Sequence, residues 1–305
     1  MIGFLGAGRV GAQAALEVAS AGVDDVTLVD IVPGLAEGEA MDISQKIAET
    51  GVDVDVKGST DFSALKGASV VVITAGMARK PGMTRMDLLE RNAGIVAAVA
   101  KEVAKHAPSS IALTVTNPMD VMNYVVLKRT GFPKGRVVGM GGLLDLSRFK
   151  STVSAMLDVS HSSLSSLVIG EHGESMLPLA RYTTVGGVPL TKLMDETQVE
   201  LAMETTRRVA IDVISKKGAT VYAPANGVFR MVRAIALDKR EVVPASAYLE
   251  GEYGVEGVCI GVPLVLGADG VEKILSLDLN EKESAQFKKG AETIRQGISA
   301  IQSVF

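Results

Sequence analysis

Short apolar runs alternating with longer segments of helical spacing fill the first 140 residues, and this alternation restricts the fold more than any other feature of the chain. The runs Ile2–Leu5, Val26–Val29, Val52–Lys57, Val70–Thr74, Ile111–Val115 and Arg136–Gly139 read as strands. Most are apolar on both faces, as strands are when helices cover both sides of a parallel sheet. Helical patterns occupy Arg9–Ala21, Pro33–Glu49, Asp87–His106 and Asp120–Thr130. Connections of that length carry right-handed βαβ crossovers. The fold class is therefore α/β, with an N-terminal Rossmann-type doubly wound parallel sheet.

The second half has a different rhythm. Leu146–Leu157 reads as a helix, Ser166–Ile169 and Tyr182–Val185 as strands before a Gly186-Gly187 turn, and Met194–Lys217 and Val221–Ala236 as long helices. A meander of strands fits Val242–Leu249, Val258–Leu266 and Gly270–Leu275, and Asn280–Val304 closes the chain as a helix on Phe287, Ile294, Ile298 and Ile301. This is an α+β pattern with antiparallel strands. We expect a cofactor domain over residues 1–142 and a substrate domain over 143–305, joined tightly, since no polar linker separates them.

Composition removes some functions. Lys and Arg total 31 against 35 Asp and Glu, a formal charge of −4, which disfavours nucleic acid as a main partner. The single cysteine, Cys259, lies in an apolar run and allows neither an intramolecular disulfide nor a cysteine-based metal cluster. No metal site and no membrane span are expected. The chain opens on an apolar strand and a glycine loop, with no basic stretch ahead of an apolar one, so a secretory signal is not expected and the cytoplasm is the default compartment.

The loop Gly6-Ala7-Gly8-Arg9-Val10-Gly11 is G-x-G-x-x-G between an apolar strand and a helical pattern. Gly6 permits the tight turn, Gly8 lets a pyrophosphate approach the backbone, and Gly11 allows close helix–strand packing. The helix N-terminus offers N–H groups to phosphates. Asp30 ends the second strand, 24 residues after Gly6, where a carboxylate can accept both ribose hydroxyls and would repel a 2′-phosphate. NAD is thus favoured over NADP. The motif alone also fits a flavin or another nucleotide, or a plain tight turn with a solvated aspartate. Thr74-Ala75-Gly76 and Thr116-Asn117-Pro118 end later strands at the same carboxyl edge, where open α/β sheets bind ligands.

Reacting groups come from both halves. His172 stands between glycines in Gly170-Glu171-His172-Gly173-Glu174, a poor setting for a core residue and a good one for a proton carrier. His106, at a helix end, reads as a capping or surface residue, and His161 as either buried or solvated. An acid–base histidine needs a partner that fixes its tautomer. Asp145, in an apolar run, is a candidate, with a helix N-cap as the alternative. Arg148 lies three residues on, on the same helical face. Arg79 and Arg85 flank a Pro-Gly loop after a strand. Convergent guanidinium groups suit an anionic substrate, and two of them suit a dicarboxylic acid. The Pro-Gly content suits a lid that closes before reaction. A solvated basic loop fits the same residues.

Five stretches in order make the chain recognisable: GAGRVG at Gly6–Gly11, TAGMARKPGMTRMDL at Thr74–Leu88, VTNPMD at Val115–Asp120, GGLLDLSRF at Gly141–Phe149 and GEHGESMLPL at Gly170–Leu179. Over essentially its whole length the chain resembles the lactate/malate dehydrogenase family, in its lactate-dehydrogenase-like malate branch of archaea and bacteria. That resemblance implies reversible, NAD-dependent oxidation of (S)-malate to oxaloacetate, with L-lactate or a broader range of 2-hydroxy acids as the alternative. It implies His172 as the acid/base, Asp145 as its carboxylate partner and Arg148 as the grip on the C1 carboxylate. It implies Arg85 as the lid arginine that polarises the carbonyl, and Asn117 as a contact to substrate and nicotinamide. Arg79 takes the specificity position and meets the distal carboxylate. Asn92 falls near the lid and cofactor, completing a cofactor set of Gly6, Gly8, Arg9, Val10, Gly11, Asp30, Thr74, Ala75, Gly76, Asn92, Val115 and Asn117. A homo-oligomer, tetramer rather than dimer, and a place in the tricarboxylic acid cycle are implied as well. The stretch Gly141-Gly142-Leu143-Leu144-Asp145-Leu146-Ser147 departs from the commoner family form, in which Ala and Val occupy some of these positions and Ser-Ala precedes the arginine, and reads as packing substitutions.

If Asp30 selects the cofactor by repulsion, kcat/KM with NADH should exceed that with NADPH by orders of magnitude in parallel 340 nm assays. Comparable values would refute the assignment.

Overall fold

The computed structural model describes residues 1–77 and 84–305. The first half lays down β1 (Ile2–Leu5), α1 (Arg9–Ser20), β2 (Val26–Val29), α2 (Leu35–Glu49), β3 (Val56–Ser59), β4 (Val70–Ile73), α3 (Arg85–His106), β5 (Ile111–Thr114), α4 (Met119–Thr130), β6 (Val137–Gly139) and α5 (Gly142–Leu157). Parallel pairing gives the order β3-β2-β1-β4-β5-β6, the doubly wound arrangement expected from the alternation. Every residue of β1, β2, β4 and β5 is buried, as two-sided helix cover requires. α1 lies close to the sheet because its inner face is built of Gly11, Ala12, Ala14, Ala15, Val18 and Ala19. α3 starts on a capping box, with the Thr84 side chain accepting from the Asp87 N–H and the Asp87 side chain accepting from the Thr84 N–H.

Two element starts differ from the sequence reading by four residues. β3 starts at Val56 rather than Val52. As the edge strand it begins only where β2 offers a partner, Val26 opposite Val56. α5 starts at Gly142, four residues before the expected Leu146. Paired glycines are poor helix formers, yet Leu144 N–H and Asp145 N–H both donate to the Gly141 carbonyl and Gly142–Leu146 are all buried. Asp145 therefore sits inside the first turn, and the N-cap alternative for it is excluded: Gly141 holds that position, with no side-chain cap.

The second half adds β7 (Leu164–Ser165), β8 (Val168–Ile169), β9 (Leu177–Pro178), β10 (Thr184–Val185), β11 (Val188–Pro189), α6 (Glu196–Lys217), α7 (Tyr222–Ala236), β12 (Glu241–Glu250), β13 (Glu256–Gly267), β14 (Gly270–Ile274) and α8 (Glu281–Ala300). The strands are antiparallel, as expected. The meander does not stand apart, however. β12 docks antiparallel on β6, Ser246 opposite Gly139, and extends the parallel sheet to nine strands, β14-β13-β12-β6-β5-β4-β1-β2-β3. The core is correspondingly continuous from β1 to α8. Among the described residues no helix is long and apolar enough to cross a membrane.

The seam between the two parts of the sheet depends on Gly139. A Cβ there would lie 2.9 Å from the Ser246 Cβ and collide with the Met119 sulfur. Gly139→Val should cost about 1–3 kcal/mol, as overpacking does, read as a lower Tm by calorimetry. An unchanged Tm would show that the seam tolerates a side chain.

Candidate active site

The carboxyl ends of β1, β2, β4 and β5 meet where the strand order reverses, and the glycine loop occupies that point. Gly6 has φ +107°, a left-handed conformation that favours glycine. A Cβ on Gly11 would lie 2.7 Å from the Thr74 hydroxyl and collide with the Gly6 carbonyl, so α1 enters close against β1. At Gly8, by contrast, an added Cβ would meet nothing within 4 Å. The loop is thus packed on its sheet side and open on the other, where a pyrophosphate would approach. Gly8 caps α1 without a side chain, which leaves the first N–H groups of the helix, from exposed Arg9 and half-buried Val10 onward, to a ligand. Asp30 leans onto the loop: one carboxylate oxygen accepts the Ala7 N–H at 2.8 Å and the other the Val32 N–H at 3.0 Å. These features fit a dinucleotide bound through its phosphates and adenosine ribose.

The adjoining strand ends are stitched together. The Thr74 hydroxyl donates to the Gly6 carbonyl at 2.9 Å, and that of Thr116 to the Ala75 carbonyl at 2.7 Å. Val115 N–H donates to Ile73. Gly76 is exposed and leaves no room for a side chain against Thr116. Asn92, buried on α3, accepts the Met77 N–H at 2.8 Å and donates to the Met77 carbonyl at 3.2 Å and the Asn117 carbonyl at 2.7 Å. It clamps the end of β4 to the turn after β5. Asn117 itself is exposed and joins Pro118 through a cis peptide bond.

The second half presents His172 to this edge. Its Nδ1 lies 2.7 Å from Asp145 Oδ2, and the other oxygen of Asp145 accepts from Arg148 Nη1 at 3.2 Å. Asp145 has 4% of its side chain exposed, Arg148 12% and His172 13%. One buried carboxylate thus serves two cationic groups 27 and 3 residues away in sequence. With Nδ1 committed to Asp145, Nε2 is the ring atom left for proton exchange. Burial disfavours the charged ring, but the charge and hydrogen bond of Asp145, with Asp120 behind it, outweigh that and hold its pKa above the ordinary histidine value. Burial lowers the pKa of Arg148, with Asp145 opposing. The paired His172 therefore stabilises the fold fully below its unfolded pKa near 6.5, and this contribution fades as pH rises through the higher folded value.

A cavity opens beside the ring, walled by Met86, Leu89, Pro118, Asp120, Glu171 and Ile294 among others. His106 instead pairs with Glu102 at 3.2 Å, and His161 is exposed. Arg79 and the Pro-Gly loop lie outside the described residues, as does the side chain of Arg85, whose backbone opens α3.

The sequence reading overlooked two neighbours of His172. Gly141 is more than a packing change: a Cβ there would lie 2.7 Å from the ring Cγ and 2.6 Å from Met119 Cε. Asp120 accepts the His172 main-chain N–H at 2.7 Å. The glycine pair at the helix start was the available signal for the first. Asp120 gave none, because an acidic residue in a helix's first turn is commonplace.

A dinucleotide cradle on one wall of a crevice and a carboxylate-oriented histidine on the other is the equipment of a nicotinamide-dependent dehydrogenase. Comparison with known proteins narrows this. Residues 1–139 match the lactate/malate dehydrogenase NAD binding domain, and residues 143–304 the alpha/beta C-terminal domain of the same family. The malate dehydrogenase of Halalkalibacterium halodurans is 45% identical over 304 residues, covering 98% of this chain and 97% of the relative. The apo malate dehydrogenase of Picrophilus torridus superposes with a TM-score of 0.96 at 38% identity, over 100% of this chain and 98% of that one. The malate dehydrogenase of Archaeoglobus fulgidus in complex with NADH does so with a TM-score of 0.89 at 39% identity, over 99% of each chain. The chain belongs to the lactate/malate dehydrogenase family.

Asp145→Asn removes the charge that holds the His172 proton. The midpoint of His172, followed by NMR of histidine-labelled protein, should fall by about one pH unit or more. An unmoved midpoint would show that Asp145 does not govern the ring.

Proposed function

We propose that this protein is a malate dehydrogenase that interconverts (S)-malate and oxaloacetate. The observation that carries the reading is the shared Asp145 carboxylate, which orients His172 and Arg148 together. Bound NAD supplies the hydride acceptor at carbon 2 of malate, and NADH the donor to oxaloacetate. His172 Nε2 takes the hydroxyl proton in one direction and returns it in the other. Asp145 keeps the tautomer correct and stabilises the charged ring that oxidation creates, much as the buried carboxylate does in other acid–base pairs. Arg148 engages Asp145 through Nη1 and has further N–H groups for the C1 carboxylate of substrate.

Arg85 polarises the carbonyl oxygen as charge develops there. Asn117 and Asn92 set the substrate and nicotinamide ends of the site. Gly6, Gly8, Arg9, Val10, Gly11, Asp30, Thr74, Ala75, Gly76 and Val115 hold the cofactor. Arg79 selects a dicarboxylate, because its charge would be left without a partner beside the methyl group of pyruvate. The identities of the relatives support oxaloacetate over pyruvate. The working division is a cofactor domain at 1–142 and a substrate domain at 143–305. The protein works as a homo-oligomer, a tetramer rather than a dimer, in the cytoplasm and within the tricarboxylic acid cycle.

NADH oxidation at 340 nm with oxaloacetate and pyruvate in parallel tests the substrate. Strong preference for oxaloacetate is expected, and preference for pyruvate would overturn the choice. Arg79→Gln should reduce oxaloacetate turnover about 100-fold or more relative to pyruvate turnover, as loss of a charged contact of roughly 3 kcal/mol requires. Equal losses on both substrates would refute the role of Arg79.

A further inference from the structure

His172 is held at two points by two different carboxylates. Asp145 takes the ring, and Asp120 takes the main-chain N–H at 2.7 Å across 52 residues of sequence. The Ser175 N–H donates to the Glu171 carboxylate and the Met176 N–H to the Gly173 carbonyl, both inside the turn, while the Ser175 and Met176 carbonyls accept from Gln286 of α8 and the Met176 carbonyl also from Arg207 of α6, all in the second half of the chain. Gly170, one residue before Glu171, is bridged to Gly261 of β13. Among the described residues, Asp120 is therefore the main-chain tether from the histidine turn to the first half of the chain. It stands in the first turn of α4, three residues after Asn117. The same short segment thus carries a residue on the cofactor side of the crevice and the acceptor that sets the height of the acid–base histidine.

We propose that Asp120 is a positioning residue for the reaction: its buried carboxylate registers His172 against the Asn117 turn and supplies a second negative charge beside the ring. The inference rests on His172 being the acid–base group. Asp120 is 3% exposed, and its second oxygen has no hydrogen-bond partner among the described residues. The Ser246 hydroxyl favours the charged form without reaching hydrogen-bond geometry. Burial dominates and pushes the carboxyl up to about 7, against Ser246 and His172.

The charged and titratable groups around the pair come from several elements. α5 contributes Asp145 and Arg148, the histidine turn Glu171, and β13 Cys259, whose thiol burial and Asp120 push well up. Among the described residues, α3 and α8 line the shared cavity with uncharged side chains, Met86, Leu89, Thr293 and Ile294 among them. Asp120 and His172, each raised from its ordinary value, therefore titrate as a linked pair. A purely apolar support for the turn would hold the ring without changing its proton affinity, and a carboxylate does both.

Asp120→Asn separates the two contributions, since an amide keeps an oxygen for the His172 N–H and nearly the same volume but carries no charge. The chain has three histidines, so His172→Asn assigns the relevant resonance in labelled protein. The His172 midpoint in Asp120→Asn should fall by about 0.5–1 pH unit. The alkaline limb of kcat/KM for oxaloacetate reduction, which needs the protonated ring, should move down with it. Asp120→Ala also removes the acceptor, and kcat should fall about 10- to 100-fold with little change in KM, as expected when a reacting group is misplaced. An unmoved midpoint and limb in Asp120→Asn, with only Tm lowered, would overturn the proposal and leave Asp120 a packing residue. If Asp120→Ala does not fold, the Asn variant decides alone. Because the midpoint is read without turnover, an unaltered enzyme inactive on every keto acid would count against the proposed function, and an unmoved midpoint against Asp120.

Discussion

The site depends on one carboxylate. Asp145 is buried in the first turn of α5 and divides its two oxygens between His172 and Arg148. A carboxylate in that position is tolerable only with partners, and removing one partner of a buried pair typically costs about 3–5 kcal/mol. The same pairing that makes Asp145 stable also determines which nitrogen of His172 faces the crevice and keeps the Arg148 guanidinium beside it. Stability and the geometry of the proposed chemistry are here consequences of a single arrangement, so the residues that support Asp145 support that geometry as well. Gly141 is the clearest case. It ends the approach to α5, accepts the first helical hydrogen bonds and leaves the volume that the imidazole fills.

The sheet supplies the frame that brings the two walls together. Its parallel half places the glycine loop, Thr74–Gly76 and Asn117 along one carboxyl edge. Its antiparallel half, through β12 on β6 and the Gly170–Gly261 bridge, carries the histidine turn to the same edge. A hinge between separate bodies would leave the distance between the cofactor wall and His172 adjustable. A nine-stranded sheet with a common core, tied further by the Asp120 contact, holds that distance within the fold.

Much of this was legible in the residues. The parallel strands were recognisable because burial on both faces leaves nearly unbroken apolar runs, and β1 and β2 fall where the runs begin and end. The glycine loop announced itself because each glycine answers a different steric demand, and His172 because a histidine between glycines has no packing explanation. Element ends were less legible. β3 begins where its neighbour does, not where its own alternation starts. α5 begins in a glycine pair whose propensity opposes a helix but whose missing side chains make room for His172 and for the Pro244 carbonyl. The role of Asp120 was not legible: it closes the VTNPMD stretch, but an aspartate in the first turn of a helix ordinarily faces water.

The sequence by itself determined the alternation of strands and helices, the backbone freedom of the dinucleotide loop, and the presence of His172, Asp145 and the arginines on which the proposed chemistry rests. These follow from local properties: periodicity, backbone freedom at glycine, and the charge of each side chain. Only the tertiary structure decided that the C-terminal meander would extend the first sheet, and that Asp145 would turn both oxygens to use. It alone placed a second carboxylate from α4 behind His172. Those outcomes depend on contacts between residues tens to more than a hundred positions apart, whose geometry is settled by how the layers pack and not by any segment alone.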